Sequence, residues 1–177
     1  PSVGMGIDLG GIAKGLAVDN AAKILRERGV KSAMVMGAGN MAFIGFPPKR
    51  DSWRIGIRHP RDRNREIGTL EITDGAVATS GDYERYVIIN GRRYSHIIDP
   101  RTGWPVQNNV ASVTILTPTA EEADALSTAV FVMGAKTGMA FIEARADTEA
   151  AIVTVDDSGG IKVLLSTGLT QRYIPNE

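Results

Sequence analysis

"YVIINGRRYSHII", Tyr86 to Ile98, sets the pair Asn90-Gly91 between two runs rich in β-branched and aromatic side chains. A two-residue type I′ turn needs positive φ at both central positions, which Asn and Gly tolerate best, so the pair predicts a β-hairpin of fixed register. Ile89 then faces Arg92, Val87 faces Tyr94, and His96 lies opposite Arg85. Hairpins build antiparallel sheets, and strands so paired beside a few long helices favour an α+β fold over a strictly parallel α/β sheet.

Outward from the hairpin the same alternation continues. Ile12 to Arg28 is predicted as a helix: Leu16, Ala17, Ala21, Ile24 and Leu25 recur at helical spacing, basic residues fill the last turn, and Gly29 supplies the stop. "SAMVMGAGN", Ser32 to Asn40, reads as a buried strand running into a glycine loop. "SWRIGIRH", the segments around Leu70 and Val77, and "ASVTILT" read as strands. "TAEEADALSTAVFVMG" is a second helix, opened by Thr119 with Glu122 three residues on as a capping box. A short helix is predicted over Lys136 to Ala146, and "AAIVTVDDSGGIKVLLS" closes as a hairpin through Asp157, Ser158 and Gly159. No repeat or low-complexity linker divides the chain, so residues 1–177 are expected to form one domain.

The chain has 177 residues, 43% hydrophobic, with 20 basic and 20 acidic side chains. Zero net charge provides no general field for nucleic acid or an anionic membrane, so any anionic ligand must be held by a local arrangement. Cysteine is absent, which excludes disulfides, thiolate metal sites and cysteine nucleophiles. No run of about 18 apolar residues is present, so no transmembrane segment is expected.

Three constellations can carry chemistry. In "DLGGIAKG", Asp8 to Gly15, glycines precede a helix that contains Lys14; such a turn lets backbone amides approach phosphate, although the same glycines also serve close helix packing. In "EEADALSTA", Asp124 and Thr128 are four apart and share one helix face. A carboxylate and a hydroxyl so placed suit a hard cation such as Mg²⁺, and an aspartate of this kind is expected to serve the cation rather than the fold; the alternative is a solvated Asp with Thr bonded to its own helix. The third, "ATSGDYERY" with "SHIIDPRTG", gathers Thr79, Ser80, Asp82, Tyr83, Arg85 and His96 near one strand pair. One of only two histidines stands there, able to serve a proton transfer or simply to hold a strand end. His59, in "RHP", is read as structural.

The motifs "DLGGIAKGLAVD", "MGAGN", "ATSGDYERY", "YSHIIDPRTGWP" and "EEADALSTAVFVMG", in this order, closely resemble the ApbE family of bacterial flavin transferases. The resemblance implies an α+β, tunnelling-fold-like arrangement of antiparallel sheets with packed helices. It implies a Mg²⁺-dependent FAD:protein FMN transferase, which cleaves FAD, passes FMN to a Thr or Ser hydroxyl of an acceptor flavoprotein and releases AMP; some relatives also hydrolyse FAD to FMN and AMP. Carried over position by position, it assigns Ala13 (through its carbonyl), Asp124 and Thr128 to the metal. It places His96 near the flavin phosphate, with Thr79, Ser80, Gly81 and Asp82 lining the same cleft and "DLGGIAKG" forming one wall of the pyrophosphate site; the FAD-binding candidates are then Asp8, Gly11, Lys14, Gly37, Asn40, Thr79, Ser80, Gly81 and Arg85, and the catalytic candidates His96 and Asp82. Family members carry a substantial portion before "DLGG", including contacts to the flavin ring and adenine, so the chain corresponds to the C-terminal part of the family fold. The resemblance also implies work on the extracytoplasmic face of the bacterial inner membrane, with no nucleic-acid partner.

Overall fold

The computed structural model describes residues 3, 4 and 6–176. Helix α1 (Ala13–Glu27) leads into β1 (Ala33–Gly37) and β2 (Asn40–Ile44), then β3 (Trp53–Arg58), β4 (Glu66–Ile72) and β5 (Ala76–Gly81). The hairpin follows as β6 (Tyr86–Ile89) and β7 (Arg92–Ser95), then the short pair β8 (Ile98–Asp99) and β9 (Trp104–Pro105). After β10 (Val110–Thr117) come α2 (Ala120–Met133), α3 (Ala135–Glu143), β11 (Glu149–Val155), β12 (Ile161–Leu165) and β13 (Tyr173–Pro175). Every strand pair among the described residues is antiparallel, as the hairpin reading requires.

The main sheet has the order β1-β2-β5-β10-β11-β12, and a smaller one the order β13-β4-β3. β10 lies at the centre and is buried along its whole length, because both faces are covered. Val113 and Ile115 pack with Phe131 and Ile142 of the helices, whereas Leu116 packs with Leu70 and Ile72 of the small sheet. Each such buried side chain contributes about 1.5–3 kcal/mol, so the packing on the two faces of β10 joins the two larger clusters of the core. α1 lies on β1 and β2, where Val18 and Ala22 meet Ala42 and Ile44.

The hairpin has the expected register, with Ile89 opposite Arg92 and Val87 opposite Tyr94. Asn90 and Gly91 take φ of 50° and 76°. "MGAGN" differs from expectation: it is not a strand that runs out into a loop but a second tight hairpin, whose turn residues Ala38 and Gly39 have φ of 50° and 90°. The third helix is shorter than the Lys136–Ala146 reading, and Gly134, at φ 81°, ends α2 and begins α3. The capping box is half formed. Thr119 accepts the Glu122 amide, but the Glu122 carboxylate pairs with Arg145 instead of returning to the cap.

Candidate functional site

The N-termini of α1 and α2 meet. Gly15 makes this possible, since a Cβ there would stand 2.1 Å from the Ala120 carbonyl oxygen. Across the contact, Asp124 reaches back from the second turn of α2: its Oδ2 accepts the Gly15 amide at 3.0 Å and its Oδ1 accepts Lys14 Nζ at 2.8 Å. Asp124 is only 3% exposed, so its charge needs a counter-ion, and Lys14 supplies it while also donating to the Gly10 carbonyl at 3.1 Å. The aspartate therefore serves the fold as well as any cation, contrary to the purely electrostatic role expected of it.

One turn further along α2, Thr128 Oγ1 lies 3.0 Å from Ser80 Oγ, which also lies 2.9 Å from Ser127 Oγ. β5 alternates, so Ser80 faces α2 while Thr79 points to the other side of the sheet and pairs with Thr114 at 2.9 Å. The expected set Thr79 to Asp82 is thereby split between two faces. Gly81 is buried against the Tyr83 ring, and burial pushes the Tyr83 phenol up from its ordinary range.

Asp82 sits in the turn after β5, held by Arg61 in a two-pronged pair at 2.8 and 2.9 Å. A carboxylate so engaged is an anchor for the loop after β3 rather than a free base. No sequence motif singles out Arg61, which lies 21 residues from Asp82. His96 follows β7: its amide donates to the Arg85 carbonyl at 3.0 Å and its Nδ1 lies 3.1 Å from the same oxygen. It thus meets the backbone of Arg85, not the guanidinium. His59 Nδ1 accepts the Arg61 amide at 3.2 Å, which agrees with a structural role.

At the start of α1, the Gly10 amide donates to Asp8, Ile12 and Ala13 donate to the Leu9 carbonyl, and Gly15 donates to Asp124. Most amides expected to cradle phosphate are therefore already engaged, and Lys14 is the stronger candidate. Gly11 faces open space. An apolar groove of about 330 Å³ runs between α1 and β1, lined by Ala17, Ala21, Val35, Gly37 and Ala38 with Lys14 beside it. Asn40, across from Gly37, is 2% exposed and its side-chain nitrogen has no hydrogen-bond partner among the described residues.

Among the described residues no three His, Cys, Asp or Glu side chains cluster as a metal cage. Carboxylate and hydroxyl oxygens are donor types that Mg²⁺ takes, with water or phosphate for the rest, but here both Asp124 oxygens accept from Lys14 and Gly15 and the Thr128 hydroxyl meets Ser80.

A model of the ApbE family matches residues 1–153. The chain belongs to the ApbE family. It is 43% identical over 152 residues to the FAD:protein FMN transferase of Vibrio cholerae, covering 85% of this chain and 46% of that protein. To one from Klebsiella pneumoniae it is 36% identical over 173 residues, covering 97% and 52%. Among solved structures, the ApbE protein of Thermotoga maritima superposes with a TM-score of 0.81 at 39% identity, covering 97% of this chain and 54% of that one. The V. cholerae flavin transferase ApbE gives 0.82 at 38%, covering 94% and 52%. The chain thus spans about half the length of the curated relatives it matches. No helix among the described residues is long and apolar enough to cross a membrane.

Proposed function

We propose that this ApbE-family chain carries the phosphate- and metal-binding half of an FAD:protein FMN transferase, moving FMN from FAD to a Thr or Ser hydroxyl of an acceptor flavoprotein and releasing AMP. The observation that carries the reading is the buried Asp124 at the meeting of two helix N-termini, with Lys14 as its counter-ion and the hydroxyls of Ser80, Ser127 and Thr128 beside it. Lys14 has three donors and two acceptors in this structure, which leaves one for a pyrophosphate oxygen. Asp124, Thr128 and the Ala13 carbonyl would hold Mg²⁺, which neutralises charge on phosphate oxygens when bound.

The chemistry balances without a covalent protein intermediate. The acceptor oxygen forms a bond to the FMN-side phosphorus, the bond to the bridging oxygen breaks, and AMP leaves with that electron pair. His96 takes the hydroxyl proton. Its Nδ1 faces a carbonyl, which can only accept, so Nδ1 carries the ring hydrogen and Nε2 of the neutral ring is left bare as the base. An extracytoplasmic setting belongs to the same proposal and is checked by fractionating the source cells.

The test supplies the protein with FAD, Mg²⁺ and an acceptor polypeptide, and follows AMP release and covalent flavin fluorescence together. Labelled acceptor with equimolar AMP supports the transferase. Free FMN with unlabelled acceptor replaces it by FAD hydrolysis, and no AMP in any condition rejects both.

A further inference from the structure

α1 and α2 exchange carboxylates. Asp124 of α2 accepts an amide from the first turn of α1, and Asp19 of α1 accepts two from the first turn of α2: Oδ1 from Ala120 and Oδ2 from Glu121, each at 2.9 Å. α2 already has its own cap, since Thr119 accepts the Glu122 amide. Asp19 therefore takes the two N-terminal amides that the local cap leaves over, and it does so from another helix, 101 and 102 residues away in sequence. At the crossing Gly15 removes any side chain that could cushion the contact with Ala120 and Glu121. A movement of the first turn of α2 is thus passed directly to Asp124, one turn on.

We propose that Asp19 is a positioning residue, which fixes the first turn of α2 so that the Asp124 carboxylate meets both Gly15 and Lys14. The proposal rests on the transferase reading only for its functional consequence; the geometric part stands apart from it. Two charge-assisted hydrogen bonds to helix N-terminal amides are strong enough for the task, because an anion there also meets the positive end of the helix dipole.

The experiment compares the parent chain with Asp19→Ala and Asp19→Asn by residue-resolved amide hydrogen exchange. The deciding amide is that of Gly15, which Asp19 does not touch. In Asp19→Ala it is expected to exchange roughly tenfold faster, the size that follows from losing a capping carboxylate. Asp19→Asn, which keeps one acceptor oxygen and the shape, should give a smaller increase, and amides in β10 and β11 should be unchanged. Steady-state transfer assays on the same variants should show kcat falling with the KM for FAD held, and partial rescue by Asn. Unchanged protection of Gly15 while Ala120 and Glu121 lose theirs overturns the proposal, as does an equal rise at every amide in Asp19→Asn. If the parent transfers no FMN, the functional reading fails and Gly15 exchange alone decides the positioning role.

Discussion

The His96 ring is held by one backbone oxygen, that of Arg85, 3.1 Å from Nδ1, so the hairpin register sets its orientation, and the proposed base role uses the tautomer in which this carbonyl accepts the Nδ1 hydrogen. General base assistance of this kind is worth about 10²–10⁴-fold. In a transfer-competent enzyme His96→Ala is expected to slow FMN transfer by that factor while FAD binding is kept, whereas His59→Ala, removing an acceptor for one loop amide, should leave the rate nearly unchanged. Rates and melting curves on both variants separate catalysis from stability: a His96→Ala enzyme that transfers at the parent rate would end the base assignment. Asp124→Ala should abolish Mg²⁺-dependent activity and also cost about 2 kcal/mol, because the Gly15 amide and Lys14 lose a buried partner together. Calorimetric melting reads that cost as a Tm drop of roughly 5 °C. Asp99 offers a pH signature. Hydrogen bonds from the Arg101 side chain hold its carboxyl down to about 2, with the Arg101 amide adding to the effect. A lowered folded-state value means that the pairing stabilises the turn above the ordinary carboxylate range near 3.9 and is lost as pH falls through about 2. Arg101→Ala should return the Asp99 titration toward 3.9, as followed by its side-chain carbon shift in NMR.

At the scale of elements, the contact between α1 and α2 is decided by one missing methyl. Gly15→Ala would push a Cβ onto the Ala120 carbonyl at 2.1 Å, with Glu121 Cα at 2.6 Å, and backbone has no room to yield as a flexible side chain does. The expected loss is about 3 kcal/mol, together with protection at the Gly15 amide. Gly11→Ala, facing open space, should be neutral in denaturant unfolding, so that any fall in its activity would report on ligand approach instead. The sequence pattern foretold α1 and α2 to within a residue or two, because apolar periodicity and a Thr cap are local signals. The β1–β2 hairpin was illegible for an equally local reason: its turn puts Ala38, not Asn or Gly, at positive φ, and no turn rule reads alanine that way. The opposite orientations of Thr79 and Ser80 follow from strand alternation, yet which of the two meets α2 depends on where the helix lies.

Over the whole molecule, the partners that sequence reading could not assign are those far apart in the chain. Lys14 with Asp124, Asp19 with Ala120 and Arg61 with Asp82 are all joined by packing, whereas motif spacing speaks only of neighbours. The surface speaks at this scale too. A compact folded chain of 18.9 kDa exposes about 8300 Å², whereas this one exposes 10627 Å². Part of the excess is apolar: Ile7 and Leu9 before α1, Val87, Ile88 and Ile89 on the hairpin, and Met34 and Met36 on β1. β1 is also an edge of the main sheet, with Ala33 and Val35 packed toward α1 and the two methionines turned outward, so apolar side chains and unpaired backbone groups lie on one strand. Natural edges avoid pairing with other chains by carrying lysine or a bulge, and β1 carries neither. The chain alone should therefore associate with rising concentration and bind a hydrophobic dye. Met34→Lys, which places a charge on the exposed face without entering the core, should lower both the sedimentation-derived mass and the dye signal while leaving the thermal unfolding of the fold within about 0.5 kcal/mol of the parent. A parent that stays monomeric and dye-silent at every concentration would show that the β1 edge is harmless.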